Sequence, residues 1–197
     1  MESSQLQSLA HHIQSRVDLS DEELNYFLSQ FKLTKVKKRQ FIIQPEFVAK
    51  YRTFVVEGAF RAYVIADEGN EHTIQFAVED WWISDYNSYI YQVPASMFVI
   101  ALEDSLVLQL DYEKEQELKK HNHKFETFFR IMAERSFAGI QKRLVSNLTK
   151  TAEERYSEFE QNYPKIANRV PQYALASFLG MTTQYLSKLR TTMVSKK

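Results

Sequence analysis

The feature that most limits how this chain can fold is a hydrophobic period that changes twice. Apolar residues recur at three- and four-residue spacing near the start, where Leu6, Leu9, Ile13 and Val17 share one helical face. Ser20 then precedes DEELNYFLSQF with Glu23 three residues on, a capping box that predicts a second helix. From about 35 to 112 the period shortens. Runs at 40–43, 52–56, 59–66, 72–77, 98–101 and 105–111 are short and rich in Val, Ile, Phe and Tyr. Turn residues separate them, as in Glu57-Gly58 and Asp67-Glu68-Gly69-Asn70. Regular spacing of this kind predicts an antiparallel barrel or sandwich. From 113 onward the helical period returns and stays.

Within that last part, residues 123–150 carry Phe125, Phe128, Phe129, Met132, Ile140, Leu144 and Leu148 on a helical period with no proline. The apolar face is wide for one neighbour. Either the helix lies deep in one domain, or it packs both on the barrel and on a second copy of itself. We take the second reading by analogy with symmetric DNA-reading proteins. A shorter helix over 152–162 ends before Pro164, and Arg169-Val170-Pro171 opens a final unit.

That unit, PQYALASFLGMTTQYLSKLRTTM, meets the demands of a helix-turn-helix. Leu175, Ala176 and Leu179 supply the inner face of a first helix, with Ala176 as the small residue where a second helix crosses. Gly180 suits the left-handed turn, and Leu186 and Leu189 face back inward. Thr182 is placed to cap the second helix and offer its N-terminus to a phosphate. The residues left outward are Thr183, Gln184, Ser187, Lys188 and Thr191. Gln can pair with adenine, Lys can donate to guanine, and Thr or Ser suits base or phosphate. An amphipathic hairpin with a polar outer face is the plainer reading of the same pattern.

Charge separates the two readings. Residues 165–197 hold Lys165, Arg169, Lys188, Arg190, Lys196 and Lys197 and no acidic residue, while the formal net charge of the 197-residue chain is zero. The preceding part therefore carries six net negative charges. A phosphate-seeking end on an acidic body favours docking on DNA in one orientation. The candidate DNA-contacting set is Thr182, Thr183, Gln184, Ser187, Lys188 and Arg190.

Other classes find little support. No apolar run approaches the ~18 residues that would cross a bilayer, and the polar start lacks the apolar segment of a secretory signal. With no cysteine, disulfides and thiolate metal sites are excluded, and a cytoplasmic location is the natural expectation. His11-His12 and His121-x-His123 lack a third ligand at metal spacing, so no metal is expected. His72 has no partner histidine two residues away, which argues against a cupin-like metal site. No catalytic constellation is visible, and we read the chain as a non-enzyme. Trp81-Trp82 suits core packing or a domain contact, with ligand stacking the alternative. Lys35, Lys37, Lys38 and Arg39 suit a solvated face, with a DNA contact second.

The order of these parts resembles the Crp/Fnr family of bacterial transcription regulators. The stretches VVEGAFRAYVIADEGNEHTIQFAVEDWWISD, FETFFRIMAERSFAGIQKRL with the following AEERY, and RVPQYALASFLGMTTQYLSKLR carry the likeness. The resemblance implies an α+β chain: an N-terminal antiparallel β-roll of cyclic-nucleotide-binding type with its helices (1–122), a long dimerisation helix (123–150), and a C-terminal all-α helix-turn-helix domain (151–197) with little or no wing. It implies a homodimer whose heads enter successive major grooves about 34 Å apart, with RNA polymerase a further partner. It places a dimer face on Phe125, Phe129, Met132, Ile140 and Leu144. It places an effector pocket around Arg61, Ser84, Asp85, Ser96, Met97, Phe128 and Phe129; the residues themselves suit a buried Asp85–Arg61 ion pair left over from a ligand site.

Two departures bear on the effector. Members that bind cyclic AMP carry Gly-Glu and Arg-Ser-Ala at the ends of a phosphate-binding segment. Here these become Ser84-Asp85 and Ala95-Ser96-Met97, so the neutralising arginine is missing. Phe128 and Phe129 would fill the space of the purine. No cofactor, and no physiological binding of cyclic AMP, is therefore expected. A third departure is a short wing, which leaves phosphate contacts to Lys196, Lys197 or the segment before Pro171. The alternative to a DNA reader is an effector-binding sensor whose helical tail contacts a protein partner.

Overall fold

The computed structural model describes residues 2–194. Two helices, α1 (Glu2–Gln14) and α2 (Asp21–Ser29), lead into β1 (Lys32–Val36), β2 (Phe41–Ile43), β3 (Tyr51–Glu57), β4 (Phe60–Ile65), β5 (Glu71–Ala77) and β6 (Trp82–Ile83). A short α3 (Tyr86–Tyr91) precedes β7 (Phe98–Ala101) and β8 (Ser105–Asp111). Six helices follow among the described residues: α4 (Tyr112–His121), α5 (His123–Thr149), α6 (Ala152–Asn162), α7 (Pro164–Ala167), α8 (Gln172–Phe178) and α9 (Thr183–Val194). The expected capping box forms at α2, where Ser20 N–H donates to Glu23 Oε2 at 2.8 Å and Glu23 N–H to Ser20 Oγ at 3.2 Å.

The strands make two antiparallel four-stranded sheets, in the orders β1-β8-β3-β6 and β2-β7-β4-β5. Gly58 turns the chain from one sheet to the other at φ +112°; a Cβ there would lie 2.1 Å from Ser105 Oγ, so only glycine fits. Between the sheets lie Val55, Phe60, Ala62, Ile83, Tyr89, Val99 and Val107. Sequence reading missed β1 and β6. The first, Lys-Leu-Thr-Lys-Val, shows no clean alternation and runs into the basic cluster of Lys35 to Arg39; the second is two residues long.

Both outer faces of this roll are also covered. Phe54, Trp82, Leu108 and Leu110 of the first sheet pack under α1, α2 and the start of α5, with Leu9, Ile13, Phe27, Phe125, Phe128 and Phe129. Trp82 Nε1 donates to His12 Nε2 at 3.1 Å. Burial, aided by Arg16 and Arg135, pushes the His12 pKa down to about 4, so this histidine is a neutral core partner. On the second sheet, Phe76 and Val78 join the core of the C-terminal helices. Coverage on both faces explains why four successive β4 residues, Phe60 to Tyr63, are all buried, which no simple alternation would predict.

The long helix α5 is two helices in its surroundings. Phe125, Phe128 and Phe129 are buried, whereas every residue from 133 to 142 is exposed. Phe125 and Phe129 thus have no surface to offer a second copy, contrary to the expectation for the dimer face, because α1 and α2 already fill that side. Met132 is half-buried at the edge of the same core.

Candidate nucleic-acid interface and effector pocket

The C-terminal unit is built on α6, whose capping box joins Thr151 and Glu154. Tyr156, Phe159, Ile166, Leu175, Leu179, Leu186 and Leu189 form one buried core, with Ala174 and Ala176 also buried where the last two helices cross. Gly180 adopts φ +67° and sits open to solvent, and Met181 N–H donates to Ala176 O at 3.0 Å, closing the turn. Arg155 fastens that turn to the scaffold: its Nε donates to Leu179 O at 2.9 Å and its guanidinium also donates to Lys150 O at 2.7 Å. Thr182 Oγ1 accepts from Tyr185 N–H at 3.1 Å, as expected of an N-cap.

On α9, Thr183, Gln184, Ser187 and Lys188 are exposed. Tyr185, which sequence reading passed over, is 42% exposed beside them. Its signal was its position between Gln184 and Leu186, one step round the helix from the outward row. Arg190 departs from expectation. Its Nε donates to Tyr156 Oη and another guanidinium N–H to Ala167 O, each at 3.1 Å, with the cation over the Tyr156 ring. It braces the head and is not presented for DNA contact. Lys196 and Lys197, the expected phosphate contacts, lie outside the described residues.

The expected effector pocket is split three ways. Ser84, Asp85, Ser96 and Met97 do come together. Asp85, fully buried, caps α3 by accepting from Ser88 N–H at 3.1 Å, and its other oxygen accepts from Ser96 N–H at 2.9 Å and Met97 N–H at 3.2 Å. Ser84 Oγ donates to Tyr51 O at 3.1 Å. Arg61 is elsewhere. It points out of the second sheet, with Nε donating to Thr73 Oγ1 at 2.9 Å, an ion pair to Glu71 at 2.5 Å, and its guanidinium between Tyr63 and Tyr173. There is no Asp85–Arg61 pair, because β4 turns Arg61 toward Glu71 and Tyr173 while Asp85 is buried at the start of α3. Phe128 and Phe129 lie in the core beneath α1 and α2, with the Phe129 ring 5.1 Å from the Arg52 guanidinium.

Sequence reading missed the charged cluster beside that segment. Arg52 Nε lies 2.7 Å from Glu115 Oε2 and its guanidinium donates to Glu115 Oε1 at 2.8 Å; Lys119 lies 2.6 Å from the same carboxylate. Tyr89 Oη donates to Glu115 at 2.9 Å, and burial raises its pKa above the usual tyrosine range. The available signal was an arginine inside the apolar run YRTFVV. Three carriers of positive charge or protons around one buried carboxylate form a closed set. Among the described residues no cluster of three or more His, Asp or Glu could hold a metal ion, and no helix is long and apolar enough to cross a membrane.

No protein-family model and no curated protein matches the sequence. Solved structures do. FixK2 from Bradyrhizobium japonicum superposes with a TM-score of 0.74 at 16% identity, over 84% of this chain and 85% of that one. The c-di-GMP-responsive global regulator CLP from Xanthomonas campestris gives 0.71 at 11% identity, over 90% and 93%. A transcriptional regulator assigned to the Crp/Fnr family from Eubacterium rectale gives 0.68 at 17% identity, over 90% and 85%. The roll, the long helix and the terminal helix-turn-helix of this chain together form the fold of the Crp/Fnr transcription regulators.

Proposed function

We propose that this protein is a cytoplasmic, sequence-specific DNA-binding transcription regulator of the Crp/Fnr type that works as a homodimer and does not respond to cyclic AMP. The observation that carries the reading is the outer face of α9: Thr183, Gln184, Ser187 and Lys188 stand exposed on a helix-turn-helix whose core is closed, in a terminal stretch without acidic residues. Residues 151–197 are then the reading head, 123–150 the dimer helix and 1–122 the sensor.

Dimerisation is supported by the second half of α5. Phe137, Ile140, Leu144 and Leu148 are 57–77% exposed at three- and four-residue spacing, an apolar seam that a single chain leaves in water. Insensitivity to cyclic AMP is supported by Asp85, whose carboxylate already occupies the Ser96 and Met97 amides. A cyclic phosphate entering there would meet a like charge with no arginine among its expected ligands. A micromolar affinity for cyclic AMP at physiological salt would overturn that part.

The test of the whole is selection of genomic DNA fragments by the purified protein at near-physiological salt. A two-fold symmetric site is expected, with affinity falling by about 0.9 log units per log salt for each phosphate contacted. Absence of any enriched motif, with and without a small-molecule extract of the cells, would refute a DNA reader. It would favour a tail that docks on protein.

A further inference from the structure

Outside the roll, a cavity of about 380 Å³ opens between β5, the second half of α5, α6 and the end of α8. That volume falls at the lower end of the ~300–1,000 Å³ typical of small-molecule sites. Its walls are aromatic, with Phe76 and Trp81 from the roll, Phe159 and Tyr163 from α6 and its end, and Phe178 from α8. Arg143 enters from α5. Its guanidinium donates to Ile74 O and lies 4.9 Å from the Phe178 ring centroid. Among the described residues no carboxylate comes within 4 Å of it, and burial lowers its pKa. The one acid among the described lining residues, Glu158, is held by Lys150 and Ser146, with Lys142 3.7 Å away, so it does not compensate Arg143. Arg135, Lys142 and Arg155 add to the positive excess of the lining.

A cation kept among aromatic rings without a counter-charge is an incomplete arrangement. We propose that this cavity is a binding site for a small organic anion, one whose flat apolar body lies between Trp81, Phe159 and Phe178 and whose carboxylate, sulfonate or phosphate meets Arg143. Resting on the regulator reading, this is its effector site, displaced from the interior of the roll, where Tyr89 and Phe60 are fully buried. Its walls come from the roll, the long helix and the head at once, so an occupant would bear on how the three are held together.

The experiment is calorimetric titration of the full chain, without DNA, with 2-naphthoate, indole-3-acetate and 1-naphthyl phosphate, each paired with a neutral analogue (amide or alcohol). At least one anion should bind saturably at one per chain and at least tenfold more tightly than its neutral partner. Arg143→Gln should remove that preference, Arg143→Lys should restore part of it, and Trp81 fluorescence should change on binding to the otherwise wild-type Trp82→Phe chain. No saturable binding by any of the three anions, equal binding of anion and neutral analogue, or a preference untouched in Arg143→Gln would each overturn the proposal. Should the Arg143 variants fail to fold, the anion-to-neutral ratio in the wild-type protein decides alone. Because DNA is absent, failure here leaves the DNA reading standing, and failure of genomic selection leaves this binding intact.

Discussion

Gln184 and Lys188, one helical turn apart on α9, and Arg190 two residues beyond show how differently neighbouring polar side chains are used. The first two are exposed, while Arg190 is spent on Tyr156 and Ala167. Gln184→Ala and Lys188→Ala should each weaken binding to the selected site by about 1–3 kcal/mol without changing melting temperature or dimer content. Arg190→Ala should do the reverse, lowering the melting temperature of the head with little effect on base preference. Competition binding and calorimetry on the three variants check this; wild-type affinity in both of the first two would mean α9 is not the reading helix. Their outward positions were legible in the sequence because a helix repeats every 3.6 residues. Arg190 was not legible, because its partners come from α6, 34 residues earlier, and from the end of α7, 23 residues earlier.

Among the elements, α5 carries the most consequence. One uninterrupted apolar period runs along it, yet Phe125 is fully buried and Leu148 is 77% exposed. Replacing Ile140 and Leu144 together by glutamate should yield a monomer by light scattering with helical content retained, since both side chains are already in water in the single chain. A dimer that survives this change would place the interface elsewhere. Phe125→Ala should instead cost about 3–5 kcal/mol of stability through the cavity it leaves among Phe27, Phe128 and Phe129. Helicity and capping were readable from residues three and four apart. The change of partner halfway along α5 was not, because α1 and α2 reach only its first turns.

For the whole molecule the decisive contact is head against roll. Arg169 grips Glu79 through two hydrogen bonds of 2.7 and 2.9 Å and also reaches Glu103. Ser177 closes the free edge of β5, accepting from Thr73 N–H at 2.8 Å and donating to Glu71 O at 2.9 Å. Trp81 meets Tyr163 at 5.4 Å, a domain contact, which is one of the two roles the tryptophan pair suits. The Arg169 hydrogen bonds hold the Glu79 pKa at about 2, below its ordinary 4.5. The folded value is depressed, so this contribution is complete above pH 4.5 and fades as pH falls from 4.5 toward 2. Glu79→Gln should loosen the head at neutral pH and flatten that acid-side loss. Because the chain has no cysteine, an introduced pair, one in the roll and one in the head, can carry dyes for a distance measurement. Matching wild-type and Glu79→Gln profiles would remove Arg169–Glu79 as the clasp.

What the sequence by itself determined is what neighbours within a few residues decide. Those are the capping boxes at Ser20 and Thr151, the left-handed turn at Gly180, the alternation of helical and strand periods, and the outward row of α9. Each depends on backbone geometry and on which side of one element is apolar, and both repeat at fixed spacing. Tertiary structure alone decided that Arg61 turns to the head instead of to Asp85, that Phe128 and Phe129 fill a core, and that Arg143 meets Ile74 O and the Phe178 ring and no carboxylate among the described residues. Those outcomes depend on pairs such as Thr73 and Ser177, 104 residues apart, that meet only when the head folds back on the roll, and no local period records such a meeting.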